Sequence, residues 1–393
     1  MASTAFDLTP AGMPLEFATA GRVIVGPGAA ARLPALLAGL GSRALVCTGS
    51  RPDSHAGLLS GLQLPATIVT VDREPTIELA QAATAAAREH GADVVAAVGG
   101  GSVIDLAKAV AMLLANGGDP LDYLEVVGAG TAITKPAVPL VAVPTTAGTG
   151  AEVTANAVLA SPAHRIKASL RSPLMIPRVA LVDPLLTLTC PPQVTAASGL
   201  DALTQCLEPF VSVRANALTD CLARGGLRHA AAGLRRAYAD PADAAARGDM
   251  ALCSLLGGMA LANAKLGAVH GLASVAGAVA GVPHGAACAA LLAPVAEANV
   301  RALRAAPAGG PGLARYAEAA QLLTGDPSAA IEDGVAWIRE TVTLLGVPGL
   351  HGFGLRPEDF GSVAAMAAKA SSTQGNPVVL AEADLRAILA EAS

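Results

Sequence analysis

The chain has 393 residues, of which 53% are hydrophobic, 15% charged and only 2% aromatic, with a formal net charge of −5. That length and apolar content exclude a disordered chain and leave room for two domains whose cores are built from Ala, Val and Leu. The charge gives no polyanion-binding signature, and no Lys/Arg run suggests nucleic acid.

The opening "MASTAFDLTPAGMPLEF" lacks a basic start followed by an apolar run, so no signal peptide is expected. From there short apolar runs alternate with helical stretches. Residues 22–26, 43–49, 66–72, 93–100 and 139–146 are strand-like and bounded by glycine or proline. Residues 29–41, 76–91 and 102–118 have helical periodicity and end in glycine. Strand alternating with helix predicts a parallel sheet covered on both faces. After residues 177–194 the pattern becomes long helical segments without convincing strands, which places a domain boundary near Pro191–Pro192. Residues 305–312, "AAPAGGPG", read as a surface loop inside the helical half. The longest uncharged stretches are rich in Gly, Ala and His or broken by Pro, as in buried helices rather than a membrane span. The six cysteines, at 47, 190, 206, 221, 253 and 288, form no CxxC pair; they read as reduced thiols in a cytoplasmic protein.

Three stretches carry chemistry. "DVVAAVGGGSVIDLAKA" is a strand, three glycines, a serine and a helix, a turn whose helix N-terminus offers amide donors to a phosphate. It is not the spaced GxGxxG fingerprint of an ordinary Rossmann domain. "VPTTAGTGAE" (143–152) follows a strand and sets the hydroxyls of Thr145, Thr146 and Thr149 among glycines. Two such loops at the ends of parallel strands favour a nucleotide; tight turns and capped loops are the plainer alternatives. "VHGLASVAGAVAGVPHG" (269–285) carries His270 and His284, each before a glycine, in an otherwise apolar run. A lone histidine there is usually a satisfied core residue, but two of them suit a metal ion.

With "GLDALTQ" added, the sequence resembles the iron-containing (group III) alcohol dehydrogenase family, which shares its fold with glycerol dehydrogenase, maleylacetate reductase and dehydroquinate synthase. The likeness runs over nearly the whole chain in the order GGGSVID, VPTTAGTGAEVT, VALVDP, GLDALT, GAVHG, PHG. It implies an α/β dinucleotide-binding domain over 1–190 and an all-helical metal domain over 191–393. Gly100, Gly101 and Ser102 would hold the pyrophosphate, with Asp105 just behind. Thr145, Thr146 and Thr149 would contact phosphate and the nicotinamide side, and Lys167 and Leu185 would line the nicotinamide ribose. Asp201, His270 and His284 would bind a divalent metal, Fe²⁺ or Zn²⁺, together with the occupant of position 205. The implied reaction is hydride transfer between NAD(P)H and a small aldehyde, with the metal polarising the carbonyl oxygen, in a homodimer that needs neither membrane nor nucleic acid.

Four departures from the family pattern follow. Gln205 stands where histidine is usual, four residues from Asp201 on one helix face. Ser274 replaces a histidine that relays protons, and with His270 and Lys167 it completes the candidate catalytic residues. Gly49, followed by Ser50 and Arg51, replaces the aspartate of NAD-preferring relatives, which points to NADP(H) or dual use. Lys265 and Arg214 add cations that would suit an anionic aldehyde. The closest alternative is a metal-independent maleylacetate-type reductase acting on a keto or unsaturated acid. A dehydroquinate-synthase-like lyase lacks the dense Lys/Arg set its substrate demands, and a non-catalytic binding module sits poorly with two intact loops.

Overall fold

The structure, a computed structural model, describes residues 15–162, 166–306 and 310–393. They group into two compact units, one spanning 19–190 and the other 191–393 together with 15–18. The first unit runs β1 (Val23–Val25), α1 (Leu33–Ala38), β2 (Ala44–Gly49), α2 (Ala56–Ser60), β3 (Ala66–Val71), α3 (Ile77–His90), β4 (Val94–Gly99), α4 (Gly101–Asn116), α5 (Pro120–Tyr123), β5 (Leu140–Pro144), β6 (Asn156–Ser161), β7 (Ile166–Arg171) and β8 (Val179–Val182). Six strands form one parallel sheet in the order β1-β8-β5-β4-β2-β3.

Alternate residues of the central strands feed two cores. Leu45, Cys47, Val95, Ala97, Leu140 and Ala142 pack under α3 and α4. Ala44, Val46, Val94, Ala96, Val141 and Val143 pack on the other face with Leu33 and Leu37 of α1. Burial on both faces explains why these strands read as unbroken apolar runs. All five expected strands are present, and β8 comes from "VALVDP". The antiparallel hairpin β6–β7 was not anticipated; its strands are half-buried and rich in Ala and Ser, so their alternation of period two is faint. Asp105 anchors this hairpin, accepting the Val158 amide at 3.1 Å.

The second unit contains α6 (Pro192–Val211), α7 (Ala217–Ala239), α8 (Ala244–Ala264), α9 (Ala268–Ala280), α10 (His284–Ala305), α11 (Gly310–Thr324), α12 (Ile331–Leu344), α13 (Phe360–Ala367) and α14 (Glu382–Glu391), with no strand among the described residues. One correction concerns the first residues, expected in the α/β domain. Residues 15–18 belong with the helices, where Ala18 donates to Asn263 Oδ1 at 2.7 Å and accepts from Asn263 Nδ2 at 2.9 Å. The signal-peptide reading falls mostly on residues 1–14 and the loop reading partly on 307–309, both outside the described residues. Helix α10 is long and apolar enough to cross a bilayer, and 78% of that stretch is buried within the protein. The six cysteines are free thiols.

Candidate functional site

In the α/β unit the carboxyl ends of β4 and β5 lie side by side, Gly99 opposite Pro144, and the Thr145 amide donates to Gly99 O at 3.0 Å. The glycine turn and the threonine loop are therefore neighbours. A Cβ on Gly101 would stand 2.8 Å from Thr149 Cγ2 and Oγ1, so only glycine lets the loop settle against the start of α4. No side chain caps that helix, which leaves the amides of its first turn, at Gly101 and Ser102, facing outward with the positive end of the dipole. β2 leads to its outer neighbour β3, whereas β4 leads to β5 on the opposite side. The chain thus changes direction across the sheet between β2 and β4, the place where open α/β sheets bind nucleotides. Gly49 ends β2 at this edge, and Ser50 and Arg51, which follow it, are exposed.

Two expected contributors have other company. Lys167, on β7, makes a 2.7 Å ion pair with Glu74. Leu185 lies just past β8, its amide given to Asp183 Oδ1 at 3.0 Å, and its side chain is 38% exposed. Asp183 also accepts the amides of Gly28 at 3.1 Å and Ala30 at 3.0 Å, which gives the aspartate of "VALVDP" a structural role, holding the turn after β1.

The helical unit builds a second site around α6. Asp201 and Gln205 lie one turn apart on it and both are buried. Gly285 lets α10 close onto α6, since a Cβ there would stand 2.6 Å from Ala197 O. His284, the first residue of α10, is thereby set with Nε2 3.7 Å from Asp201 Oδ1. His270 is held from the opposite side. Glu208 Oε1 accepts the Val269 amide at 2.7 Å, Asn376 Oδ1 accepts the Ala268 amide at 3.1 Å, and together they cap α9. Glu208 Oε2 accepts a hydrogen bond from His270 Nδ1 at 2.7 Å. A carboxylate only accepts, so the neutral ring keeps its lone pair on Nε2, the arrangement of a metal-ligating histidine with a carboxylate behind it.

His270 Nε2 lies 3.3 Å from Asp201 Oδ1, and the two imidazole centroids are 5.4 Å apart. Yet His270 Nε2, Asp201 Oδ1 and Gln205 Oε1 are all buried without a well-directed hydrogen bond. Orphaned buried polar atoms are costly, and three on expected ligands indicate a place shaped for an ion. Cys288, one turn after His284, brings a sulfur to the same group: Asp201, His270, His284 and Cys288 offer donor atoms all within 4.8 Å of one another.

Electrostatics point the same way. Burial opposes charge on His270, but Cys288, Asp201 and Glu208 outweigh it and hold the imidazole well above its usual range. Cys288, and after it Asp201, raise His284 to about 9 against the effect of burial. Burial would raise the Asp201 carboxyl, but the two imidazoles and Gln205 bring it below its usual value. The group favours positive charge at its centre, which a divalent cation supplies in greater measure.

The remaining candidates are peripheral. Ser274 is exposed on α9, one turn beyond His270. Lys265 ends α8 in the left-handed region, φ 62°, and donates to Gln374 Oε1 at 3.0 Å on the surface. Arg214 is exposed. Two residues escaped the sequence reading. Glu208 lies seven residues after Asp201, and Cys288 four after His284; both spacings return a side chain to the ligand face of a helix and could have flagged them.

Residues 20–184 match the family model of the iron-containing alcohol dehydrogenases, and residues 195–393 match the C-terminal model of the Fe-containing alcohol dehydrogenase family. Over 219 residues the chain is 42% identical to a long-chain-alcohol dehydrogenase of Geobacillus thermodenitrificans, an alignment covering 56% of this chain and 55% of that protein. The aligned stretch thus spans little more than half of that curated relative. The fold superposes on a 1,3-propanediol oxidoreductase with a TM-score of 0.89 and 31% identity, covering 97% of this chain and all of the other. A sulfoacetaldehyde reductase from Bifidobacterium kashiwanohense, solved with NAD⁺, gives a TM-score of 0.86 at 27% identity, covering 97% and 99%.

Proposed function

The chain belongs to the iron-containing alcohol dehydrogenase family, and we propose that it interconverts a small aldehyde and its primary alcohol with a nicotinamide dinucleotide and a divalent metal. The observation that carries this reading is the convergence of donor atoms of Asp201, His270, His284 and Cys288 within 4.8 Å, with Asp201 Oδ1 and His270 Nε2 buried and without hydrogen-bond partners. The same cluster weighs against a metal-independent maleylacetate-type reductase, which would have no use for it.

Asp201, His270 and His284 would hold the metal, whose contribution when bound is to stabilise negative charge growing on the carbonyl oxygen. Glu208 keeps His270 Nε2 aimed inward by accepting a hydrogen bond from Nδ1–H. Asp201, His270 and Cys288 are buried, which strengthens each charge inside. In the α/β unit the Gly101 and Ser102 amides and the hydroxyls of Thr145, Thr146 and Thr149 would hold the dinucleotide phosphates. Lys167 and Leu185 are assigned to the nicotinamide ribose and Ser274 to proton relay. Gly49 leaves no carboxylate to repel a 2′-phosphate and Arg51 is exposed beside it, so NADP(H) is accepted alongside NAD(H). The reading extends to a cytoplasmic homodimer, in keeping with thiols that form no disulfide among the described residues.

The test is oxidation of NADPH and of NADH with a panel of short aldehydes, before and after chelation. Turnover that is lost on chelation and restored by Fe²⁺ or Zn²⁺ supports the reading; turnover indifferent to chelation contradicts it. An anionic aldehyde is the second reading, favoured by exposed Lys265 and by likeness to the sulfoacetaldehyde reductase. Lys265→Ala should then raise KM for an acidic aldehyde and leave a neutral one unchanged, and equal effects on both would exclude it.

A further inference from the structure

We infer that Cys288, rather than Gln205, supplies the fourth ligand of the metal centre, making it an aspartate–histidine–histidine–thiolate site. The inference rests on the metal-centre reading above and assigns the one position that reading leaves open.

The geometry begins with α10. His284 and Cys288 are four residues apart in its first turns, so their side chains share a face, and Cys288 Sγ stands 3.7 Å from His284 Nε2. Two of the other five edges of the group are 3.7 Å for His284 Nε2 to Asp201 Oδ1 and 3.3 Å for His270 Nε2 to Asp201 Oδ1. Around a tetrahedral ion with metal–nitrogen and metal–oxygen bonds of about 2.0–2.1 Å and metal–sulfur bonds of about 2.3 Å, neighbouring donors stand roughly 3.3–3.6 Å apart. These three edges lie within a few tenths of an ångström of that figure. All four donor atoms fall within 4.8 Å of one another, and Cys288 is fully buried among them. The sulfur therefore faces a centre that Asp201 Oδ1 and His270 Nε2 also face without partners of their own.

Gln205 is placed for different work. It sits one turn from Asp201 on α6 and adds, after the two imidazoles, to what holds that carboxyl below its usual range. As a ligand it would offer only a neutral carbonyl oxygen, a poorer donor for Fe²⁺ or Zn²⁺ than a thiolate. Gln205 is thus a positioning residue that orients a ligand. When the ion binds, the Cys288 S–H bond breaks, its proton leaves to solvent, and the sulfur lone pair forms the bond to the metal. One soft ligand among nitrogen and oxygen donors biases the centre toward Zn²⁺ and Co²⁺ and away from Mg²⁺ and Mn²⁺.

The experiment loads metal-stripped protein with Co²⁺ and records stoichiometry and the electronic spectrum together. Wild-type protein should take up one Co²⁺ per chain and show a thiolate-to-cobalt charge-transfer band in the near ultraviolet. Cys288→Ala should lose the band and bind Co²⁺ at least about tenfold more weakly, the lower end of what loss of even an indirect partner costs. Gln205→Ala should keep the band. One Co²⁺ per chain without the band, or a band that survives Cys288→Ala, overturns the thiolate assignment and leaves the metal centre standing. Failure of wild-type protein to bind Co²⁺ at all overturns both. The wild-type spectrum decides the matter even if a variant does not fold.

Discussion

Glu208 shows how one side chain standing behind a ligand sets the quality of the site. It caps α9 through the Val269 amide and fixes the tautomer of His270 through Nδ1. Glu208→Gln keeps the shape but weakens the acceptor, so affinity for Zn²⁺ in a chelator competition should fall roughly 10–100-fold, with thermal unfolding little changed. Unaltered affinity would mean that His270 needs no such support. Lys108 offers a second test at this scale, away from the metal. It is fully buried on α4, donating to Thr154 Oγ1 at 2.8 Å and Asn156 O at 3.0 Å, and burial brings its ammonium from 10.5 down to about 8. Burial also lifts nearby Glu152 from 4.5 to about 7. Between pH 8 and 10.5 the unfolded chain holds the Lys108 proton more tightly than the folded one, so this group makes stability rise with pH across that window. Between pH 4.5 and 7 the folded chain holds the Glu152 proton more tightly, so that group makes stability fall as pH rises. Lys108→Met abolishes the alkaline contribution. The Tm of the variant minus that of wild type should therefore decline from pH 8 to 10.5, and a constant difference would show that Lys108 titrates normally.

At the scale of elements, legibility followed burial. β2, β4 and β5 are covered on both faces and announced themselves as apolar runs, while β6 and β7 did not. The glycine turn and the threonine loop were visible separately, but their contact depends on strand order, which no local pattern states. Asp201, His270 and His284 were marked by residue type and resemblance. Glu208 and Cys288 were missed because a glutamate in a helix reads as a solvated charge and a scattered cysteine as a core thiol. Their roles arise only when α6, α9 and α10 meet. Gly101→Ala tests the loop contact. With Cβ 2.8 Å from Thr149 atoms, the threonine loop must shift, at a cost of about 1–3 kcal/mol. Tm should drop and KM for the dinucleotide should rise with bound metal per chain unchanged; unaltered KM would show that the turn does not shape the dinucleotide site.

At the scale of the whole molecule, the two units divide the chemistry, one with the features of a dinucleotide site and the other with those of a metal site. The division near residue 190 was legible from the change of pattern, though the return of residues 15–18 to the helical unit was not, because it rests on Asn263, nearly 250 residues downstream. A cation at the centre explains together why Asp201 Oδ1 and His270 Nε2 are buried without hydrogen-bond partners and why His284 and Cys288 gather around them. The most direct measurement is therefore elemental mass spectrometry of the protein purified without chelators. The account predicts close to one Fe or Zn per chain, falling to near zero in Asp201→Ala. Almost no metal in wild-type protein that still oxidises NADPH or NADH with a carbonyl acid would contradict it and restore the metal-independent reductase.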